Sequence, residues 1–528
     1  MTKAITCGEA TIRLLKKYGI STVFGIPGVH TLDFCRGLDH DIKHIQTRNE
    51  QGAGFMAEGW ARATGEPGVA LVISGPGVTN ASTALGQAYA DSLPLLLISA
   101  EAASYTIGKG WGVLHEVTEQ KKVTEPLTAL SATARSAADV PLLLAQAFTI
   151  FKSQRPRPVH ISIPIDVQAE MVEDDWHAVQ LPARSVPAQS QIDHAARLLK
   201  SAQQPLIMVG GGAAEAGEPI TRIAESLGAI VIASTAGKGI VPDDHPLSLS
   251  ATTVRPEVLR FFDDADVILA VGTELSETDS FVERMNLAGK LIRVDIDPSK
   301  INDFYPASIG IVADSTESMV RLAEVLIDHD NSIRERSEDR VRELNADIAA
   351  NLSPSEKQHA AWLEHLRYIA PADTIFSGDA CQLVYTGAFM MPMKQPRRWF
   401  YPAGYCALGN ALPNAIGAKL AMPDKPVVVL VGDGGFMFTM PELVTAAELK
   451  LPLPVIIWEN GGLKQIQDDM DSRGIKRVGV EGINPDFVTL AKGCHCHGVE
   501  CQSPEEFKTA FNQALSADRP TVIVVNEQ

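Results

Sequence analysis

Short β-branched and leucine-rich runs alternate along the whole chain with segments of helical period, and most runs stop at a glycine- or proline-bearing turn. In the first third the strand candidates are "STVFGIPG", "GVALVISGPG", "PLLLISA" and "PVHISIPID", with "EQGAGFMAEGWARAT" as an intervening helix. A second set, "QPLIMVGGG", "GAIVIAS", "ADVILAVGTEL", "KLIRVDIDP" and "IGIVADS", follows the polar, proline-bearing "LPARSVPAQSQ". A third set, "PVVVLVGDGG", "PVIIWENGG" and "PTVIVV", follows the charged "NSIRERSEDRVRELNADIAANLSPSEKQ", which reads as a solvated connector. Buried strands alternating with crossover helices predict an α/β fold of three doubly wound domains with mainly parallel sheets. The expected domains are residues 1–180, 190–330 and 355–528.

Composition narrows the class. A chain of 528 residues is too long for one ordinary core. Hydrophobic residues make up 45% and charged residues 21%, with no apolar run near the roughly 20 residues a membrane span needs. The start, "MTKAITCGEATIRLLKKYG", reads as an amphipathic helix rather than an export signal. Seven cysteines, an odd number in such a chain, point to reduced thiols and a cytoplasmic location. A formal net charge of −18 argues against nucleic-acid and anionic-membrane partners, which leaves a small molecule.

The densest candidate chemistry lies in "VVVLVGDGGFMFTMPELVTAAELKLPLPVIIWENGG". Gly432, Gly434 and Gly435 let the backbone turn and approach a ligand, and Asp433 stands at the carboxyl end of a buried strand, where open parallel sheets bind ligands. Thr439 and Glu442 have capping-box spacing, which predicts a helix start there. The next strand delivers Asn460 to the same edge, and the Gly461-Gly462 turn offers a backbone carbonyl. Asp433, Asn460 and Gly462 thus form a hard-oxygen set suited to Mg²⁺ on a diphosphate. Glu459 precedes Asn460, so strand alternation predicts that its side chain points away from that of Asn460.

These residues resemble the thiamin-diphosphate-dependent enzymes, whose signature is GDG followed by a strand ending in two asparagines; here Glu459 stands in place of the first. "RNEQGAGFMAEGWARATGEPGVALVISGPGVTN" and "VFGIPGVHT" are similar to the N-terminal domain of the acetolactate synthase and pyruvate decarboxylase branch, and the likeness covers essentially the whole chain. It implies a pyrimidine-binding first domain, a Rossmann-like middle domain and a diphosphate- and Mg-binding third domain. It also implies that Glu50 bonds the aminopyrimidine, that Leu408 bends the cofactor, and that Gly432, Asp433, Gly434, Gly435, Asn460 and Gly462 hold diphosphate and metal. In this branch the site forms between subunits, so a homodimer is the smallest active unit expected, within a homotetramer.

The resemblance implies decarboxylation of a 2-oxo acid to an aldehyde and CO₂. "LHEVTEQ" and "RPRPVHISIPIDV" look closest to decarboxylases of 5-guanidino-2-oxopentanoate. His30, His115 and Glu116 are candidates for proton handling. Glu116, Glu459, Asp468 and Asp469 could pair with a guanidinium, although Asp468 and Asp469 read more simply as a solvated helix face. The alternatives are an acetolactate synthase-like carboligase and a regulatory protein that binds cofactor without turnover. "MVGGGAAEAG" could pass the phosphates of an FAD, which is not favoured here. "GCHCHGVEC" has zinc-type ligands, but strand alternation separates them.

Overall fold

A computed structural model describes residues 4–38, 42–327 and 333–527. The chain forms two compact units, one of Met1–Ala183, Ser377–Cys381 and Gly404–Gln528, the other of Arg184–Phe376 and Gln382–Ala403. The fold is the expected α/β one: mainly parallel sheets with crossover helices, built as three domains.

In the first unit, one sheet has six parallel strands in the order Lys43–Gln46, Thr22–Gly25, Gly68–Val72, Leu95–Glu101, Val159–Pro164 and Leu130–Thr133. Its middle three, Gly68–Val72, Leu95–Glu101 and Val159–Pro164, are buried along their whole length, which is why they read as unbroken apolar runs. Strand order reverses between Thr22–Gly25 and Gly68–Val72, and the loops leaving their carboxyl ends line a crevice there. The other sheet of this unit carries Val427–Gly432, Pro454–Glu459, Thr521–Asn526 and His497–Cys501 side by side and parallel. The Ser377–Cys381 segment enters beside Val427–Gly432, where Asp379 N donates to Leu430 O at 2.9 Å.

Helix Glu50–Thr64 packs directly on helix Ala411–Ala421. The backbones come so close that a Cβ on Gly59 would lie 2.0 Å from Asn414 O, and one on Gly417 would lie 1.9 Å from Met56 O. Only glycine fits at either place. Buried Glu58 and Asp91 flank the Arg62 guanidinium in the same unit, and burial outweighs Arg62 in pushing the Glu58 carboxyl up to about 7.

The second unit holds five parallel strands in the order Ile230–Ala233, Pro205–Val209, Val267–Val271, Lys290–Asp295 and Ile309–Val312. The charged connector is more than a solvated one. Helix Arg334–Ala350 buries Val341, Leu344 and Ile348 against a face of this sheet that includes Leu206, Ile230 and Ile268, and Ser353 with Glu356 caps the next helix. A sparse apolar stripe on a charged helix suffices to cover a sheet face, and that stripe was hidden by the surrounding charge. At the Gly210–Gly212 turn, Gly210 N, Gly212 N and Ala213 N donate to Val271 O, Gly272 O and Gly210 O, so those three amides are spent within the protein. Among the described residues no helix is long and apolar enough to cross a membrane.

Candidate active site

At the crevice of the first sheet, Glu50 opens helix Glu50–Thr64, with Asn49 as N-cap accepting from Gln51 N at 2.8 Å. The Glu50 carboxylate is 8% exposed. Its Oε2 accepts from Asn80 Nδ2 at 2.9 Å, while Oε1 takes no hydrogen bond among the described residues. Asn80 comes from helix Pro76–Ala90, so one carboxylate oxygen is anchored and the other is left able to accept from a ligand.

The backbone before Glu50 is held as well. Glu442 Oε1 accepts from Arg48 N at 2.9 Å and Asn49 N at 3.2 Å, and Oε2 accepts from Thr445 Oγ1 at 2.7 Å. A helix does start at Glu442, running to Glu448, but the capping box expected of Thr439 and Glu442 is not made. Thr439 ends helix Asp433–Thr439, its hydroxyl donates to Gly409 O at 2.6 Å, and Glu442 is turned to the Arg48–Asn49 backbone instead. Burial raises the Glu442 carboxyl above its ordinary range, partly offset by these bonds.

His30 and His115 meet edge to face, with ring centroids 5.3 Å apart. His30 Nδ1 is hydrogen-bonded to Ser74 Oγ at 2.6 Å, from the loop after Gly68–Val72. Burial, and then the neighbouring His115, lower the His30 pKa and favour the neutral imidazole. His115 sits at φ +63°, and its Nδ1 is buried with no partner among the described residues. Glu116 turns towards the glycine-rich loop before it, accepting from Gly110 N at 2.9 Å through Oε1 and from Gly112 N at 2.7 Å through Oε2.

Below this crevice lies a buried polar seam with no role in the sequence reading. Gln120 Oε1 accepts from Gly75 N at 2.7 Å, and its Nε2 reaches Ser99, Ala100 O and Ser162. Ser162 Oγ donates to Glu101 Oε2 at 2.8 Å. Burial pushes the Glu101 carboxyl up to about 7 and lowers His160, which bonds Ser99 and Thr124, to about 3.

At the second sheet Asp433 is fully buried. Its Oδ2 accepts from Gly461 N at 2.9 Å, Gly462 N at 3.0 Å and Asn484 Nδ2 at 2.8 Å. Among the described residues its Oδ1 accepts only from Gly434 N, at 2.9 Å. A carboxylate has about four lone-pair positions, so three donors saturate Oδ2 and leave Oδ1 able to meet a cation. The Asn460 amide makes no hydrogen bond among the described residues, and Gly462 O has accepted one, from Lys464 N at 3.0 Å. This hard-oxygen set fits Mg²⁺ by its chemistry.

The strand ends at Glu459, whose Oε1 accepts from the same Asn484 Nδ2 at 2.9 Å that serves Asp433, so Glu459 is tied to the Asp433 carboxylate through that amide. Asp468 and Asp469 lie on helix Lys464–Ser472, Asp468 paired with Lys464 at 2.6 Å and Asp469 bonded to Gln465 at 3.3 Å. Among the described residues no group of three or more His, Cys, Asp or Glu could hold a metal, and His497 of the zinc-like stretch pairs with Asp518.

Leu408 is half-buried beside Gly409, whose φ of +85° needs glycine. Asp379 fixes that turn: its carboxylate accepts from Gly409 N at 2.9 Å, Ala380 N at 2.8 Å and Ala411 N at 3.4 Å. Burial outweighs these bonds and pushes Asp379 up to about 6. "FSGDA" is itself a strand followed by Gly-Asp, and the Asp379 carboxylate also lies close to the "VGDGG" turn, where a Cβ on Gly435 would come within 2.9 Å of its Oδ1.

Three family descriptions match: "Thiamine pyrophosphate enzyme, N-terminal TPP binding domain" over residues 5–124, "central domain" over 192–322, and "C-terminal TPP binding domain" over 379–525. The chain belongs to the thiamine pyrophosphate enzyme family, and it is an enzyme of the class that holds thiamin-diphosphate-dependent decarboxylases and acetolactate synthases. Among individual proteins, it is 46% identical to a probable 2-ketoarginine decarboxylase of Pseudomonas aeruginosa, over 99% of this chain and 94% of that one. It is 31% identical to a probable acetolactate synthase large subunit of Methanocaldococcus jannaschii, covering 98% and 90%. It is also 31% identical to the acetolactate synthase isozyme 3 large subunit of Escherichia coli, covering 98% and 93%.

Proposed function

We propose that this enzyme decarboxylates a 2-oxo acid to an aldehyde and CO₂ without oxidation, using thiamin diphosphate and Mg²⁺, and that the substrate is 5-guanidino-2-oxopentanoate. The observation that carries the substrate is the 46% identity, sustained over 99% of the chain, to a probable 2-ketoarginine decarboxylase, against 31% to the acetolactate synthases. Thiamin diphosphate, when bound, supplies the electron sink for cleavage of the carbon–carbon bond.

The chain's own residues divide the remaining work. Glu50 holds or moves a proton at Oε1 while Asn80 keeps Oε2 in place. Leu408, on the turn fixed by Asp379, shapes the cofactor, and Gly432, Gly434 and Gly435 let the backbone come up to its phosphates. Asp433 Oδ1, the Asn460 amide oxygen and the Gly462 carbonyl take the cation. His30, neutral and backed by Ser74, accepts or returns a proton next to His115. The enzyme acts as a homodimer or higher homo-oligomer in the cytoplasm.

A second reading, acetolactate synthase-like carboligation, is favoured by the 31% identity over 98% of the chain to such enzymes. Incubating purified protein, thiamin diphosphate and Mg²⁺ with a panel of 2-oxo acids separates the readings by product. Guanidino aldehyde and CO₂ from 5-guanidino-2-oxopentanoate support the first, acetolactate from pyruvate the second. Bound cofactor without CO₂ from any substrate would refute both and leave a regulatory protein.

A further inference from the structure

Asp433 is set by more than its own turn. Asn484 lies 51 positions away, in the segment that follows helix Lys464–Ser472, and both hydrogens of its amide have defined acceptors, Asp433 Oδ2 at 2.8 Å and Glu459 Oε1 at 2.9 Å. The same segment is fastened to the Gly461–Gly462 turn at another point. Val480 O accepts from Leu463 N at 3.0 Å and from Gln467 Nε2 at 2.9 Å, and Gly462 and Glu481 form an antiparallel bridge. A Cβ on Gly462 would lie 2.4 Å from Val480 O, so the two stretches touch at the backbone.

We infer that Glu459 and Asn484 form a clasp that orients Asp433 towards the cation and fastens the 478–486 segment over the diphosphate end of the site. The inference rests on the reading of Asp433 as a cation ligand. It assigns Glu459 and Asn484 as positioning residues rather than ligands. An amide between two carboxylates has one favourable orientation, with its NH₂ towards both of them, because its carbonyl would meet negative charge on either side. An asparagine at 459 could present NH₂ or carbonyl to Asn484, whereas the Glu459 carboxylate only accepts. The acid therefore locks the Asn484 amide, and the locked amide completes the saturation of Asp433 Oδ2, which leaves Oδ1 as the oxygen facing the cation. Glu459 also places a second negative charge beside the site, which favours a divalent ion.

Two measurements test the clasp on the full chain. The first titrates thiamin diphosphate in saturating Mg²⁺ by quenching of intrinsic fluorescence, for wild type, Glu459→Ala, Glu459→Gln, Asn484→Ala and the Glu459→Ala/Asn484→Ala double variant. Partners that orient a metal ligand change affinity by about 10- to 100-fold. Each alanine variant should weaken binding by about tenfold, and the double variant should be no worse than either single one, since both break one device. Glu459→Gln, which keeps a carbonyl acceptor but can also turn its NH₂ to Asn484 and lacks the charge, should fall between wild type and Glu459→Ala, about threefold weaker than wild type. The second measurement needs no cofactor: limited trypsin digestion after Arg473, Lys476 and Arg477, at the foot of the segment, should be faster in both single alanine variants and intermediate in Glu459→Gln. Wild-type affinity and digestion in Glu459→Ala, or strictly additive losses in the double variant, would overturn the clasp. If wild type binds no thiamin diphosphate with Mg²⁺, the proposed function fails, and the digestion pattern still decides the clasp.

Discussion

Glu442→Ala is expected to damage both stability and catalysis, although Glu442 need not touch substrate. The substitution removes the acceptor of Arg48 N, Asn49 N and Thr445 Oγ1. Arg48 is half-buried and Asn49 exposed, so water recovers part of the loss there, whereas the Thr445 hydroxyl is buried. At roughly 1 kcal/mol for each orphaned group, the cost is about 3 kcal/mol at most and about 2 kcal/mol once water meets the exposed amide, still large for a single substitution. The two amides immediately precede Glu50, so the same change loosens the entry of helix Glu50–Thr64. A displacement of about 1 Å at a reacting group costs on the order of 100-fold in rate. Glu442→Gln keeps an acceptor for both amides and sheds the cost of burying a charge, so it should keep near wild-type stability and lose less than about tenfold in rate. The assays are the urea midpoint and exchange of the thiazolium C2 proton of bound cofactor for deuterium. A Glu442→Ala protein with wild-type midpoint and exchange rate would refute the argument, and a Glu442→Gln protein as damaged as Glu442→Ala would refute its geometric part.

Glu50→Gln should bind thiamin diphosphate within a few-fold of wild type yet lose at least about 100-fold in C2 proton exchange, because it cannot take up a proton; wild-type exchange would remove Glu50 from its role. Glu101 has a folded-state pKa of about 7 against an ordinary value of 4.5, so its burial costs nothing below pH 4.5 and costs most above pH 7. Glu101→Gln should therefore stabilise the protein by about 3 kcal/mol at pH 8 and hardly at all at pH 4.5, and a gain independent of pH in urea melts would contradict it. Glu116→Gln should raise KM for 5-guanidino-2-oxopentanoate by about tenfold while leaving that for 2-oxopentanoate within about twofold, and equal changes for both would exclude a contact with the cationic tail.

The fold was legible because its central strands are buried on both faces, which leaves unbroken apolar runs such as "GVALVISG" and "VVVLVG" between helical stretches. Glu50 and Asp433 stood out as candidates for a related reason: each stands where a strand ends, beside residues whose type suits one chemistry. The groups that aim them were not. Asn484 reaches Asp433 across 51 positions, Glu442 reaches Arg48 across 394, and Asn80 reaches Glu50 across 30, so none leaves a local pattern. Where a local pattern did exist it misled, since Thr439 and Glu442 have cap spacing while tertiary partners claim both side chains. Period-two reasoning could not name the partner of Glu459 either, because the strand stops there and Asn484 comes from a distant loop.

The same bookkeeping of partners bears on how a cationic tail is recognised. Of the four carboxylates considered from the sequence, Asp468 already faces the Lys464 ammonium, Asp469 lies on the same exposed helix bonded to Gln465, and Glu459 is committed to Asn484. Glu116 differs in kind. Its two oxygens each accept one backbone N–H, from Gly110 and Gly112, and neither bond supplies a formal positive charge. With about four lone-pair positions per carboxylate, one remains on each oxygen, which is the pattern a guanidinium fork meets with two parallel bonds. The bonds it already makes hold the carboxylate still, so less side-chain entropy is lost when a ligand arrives. Glu116 also adjoins His115, whose ring meets that of His30. Under the proposed function, a group that reads as a proton donor by its position next to a histidine would be better placed, by the bonds it makes, to recognise the guanidinium of a 2-oxo acid.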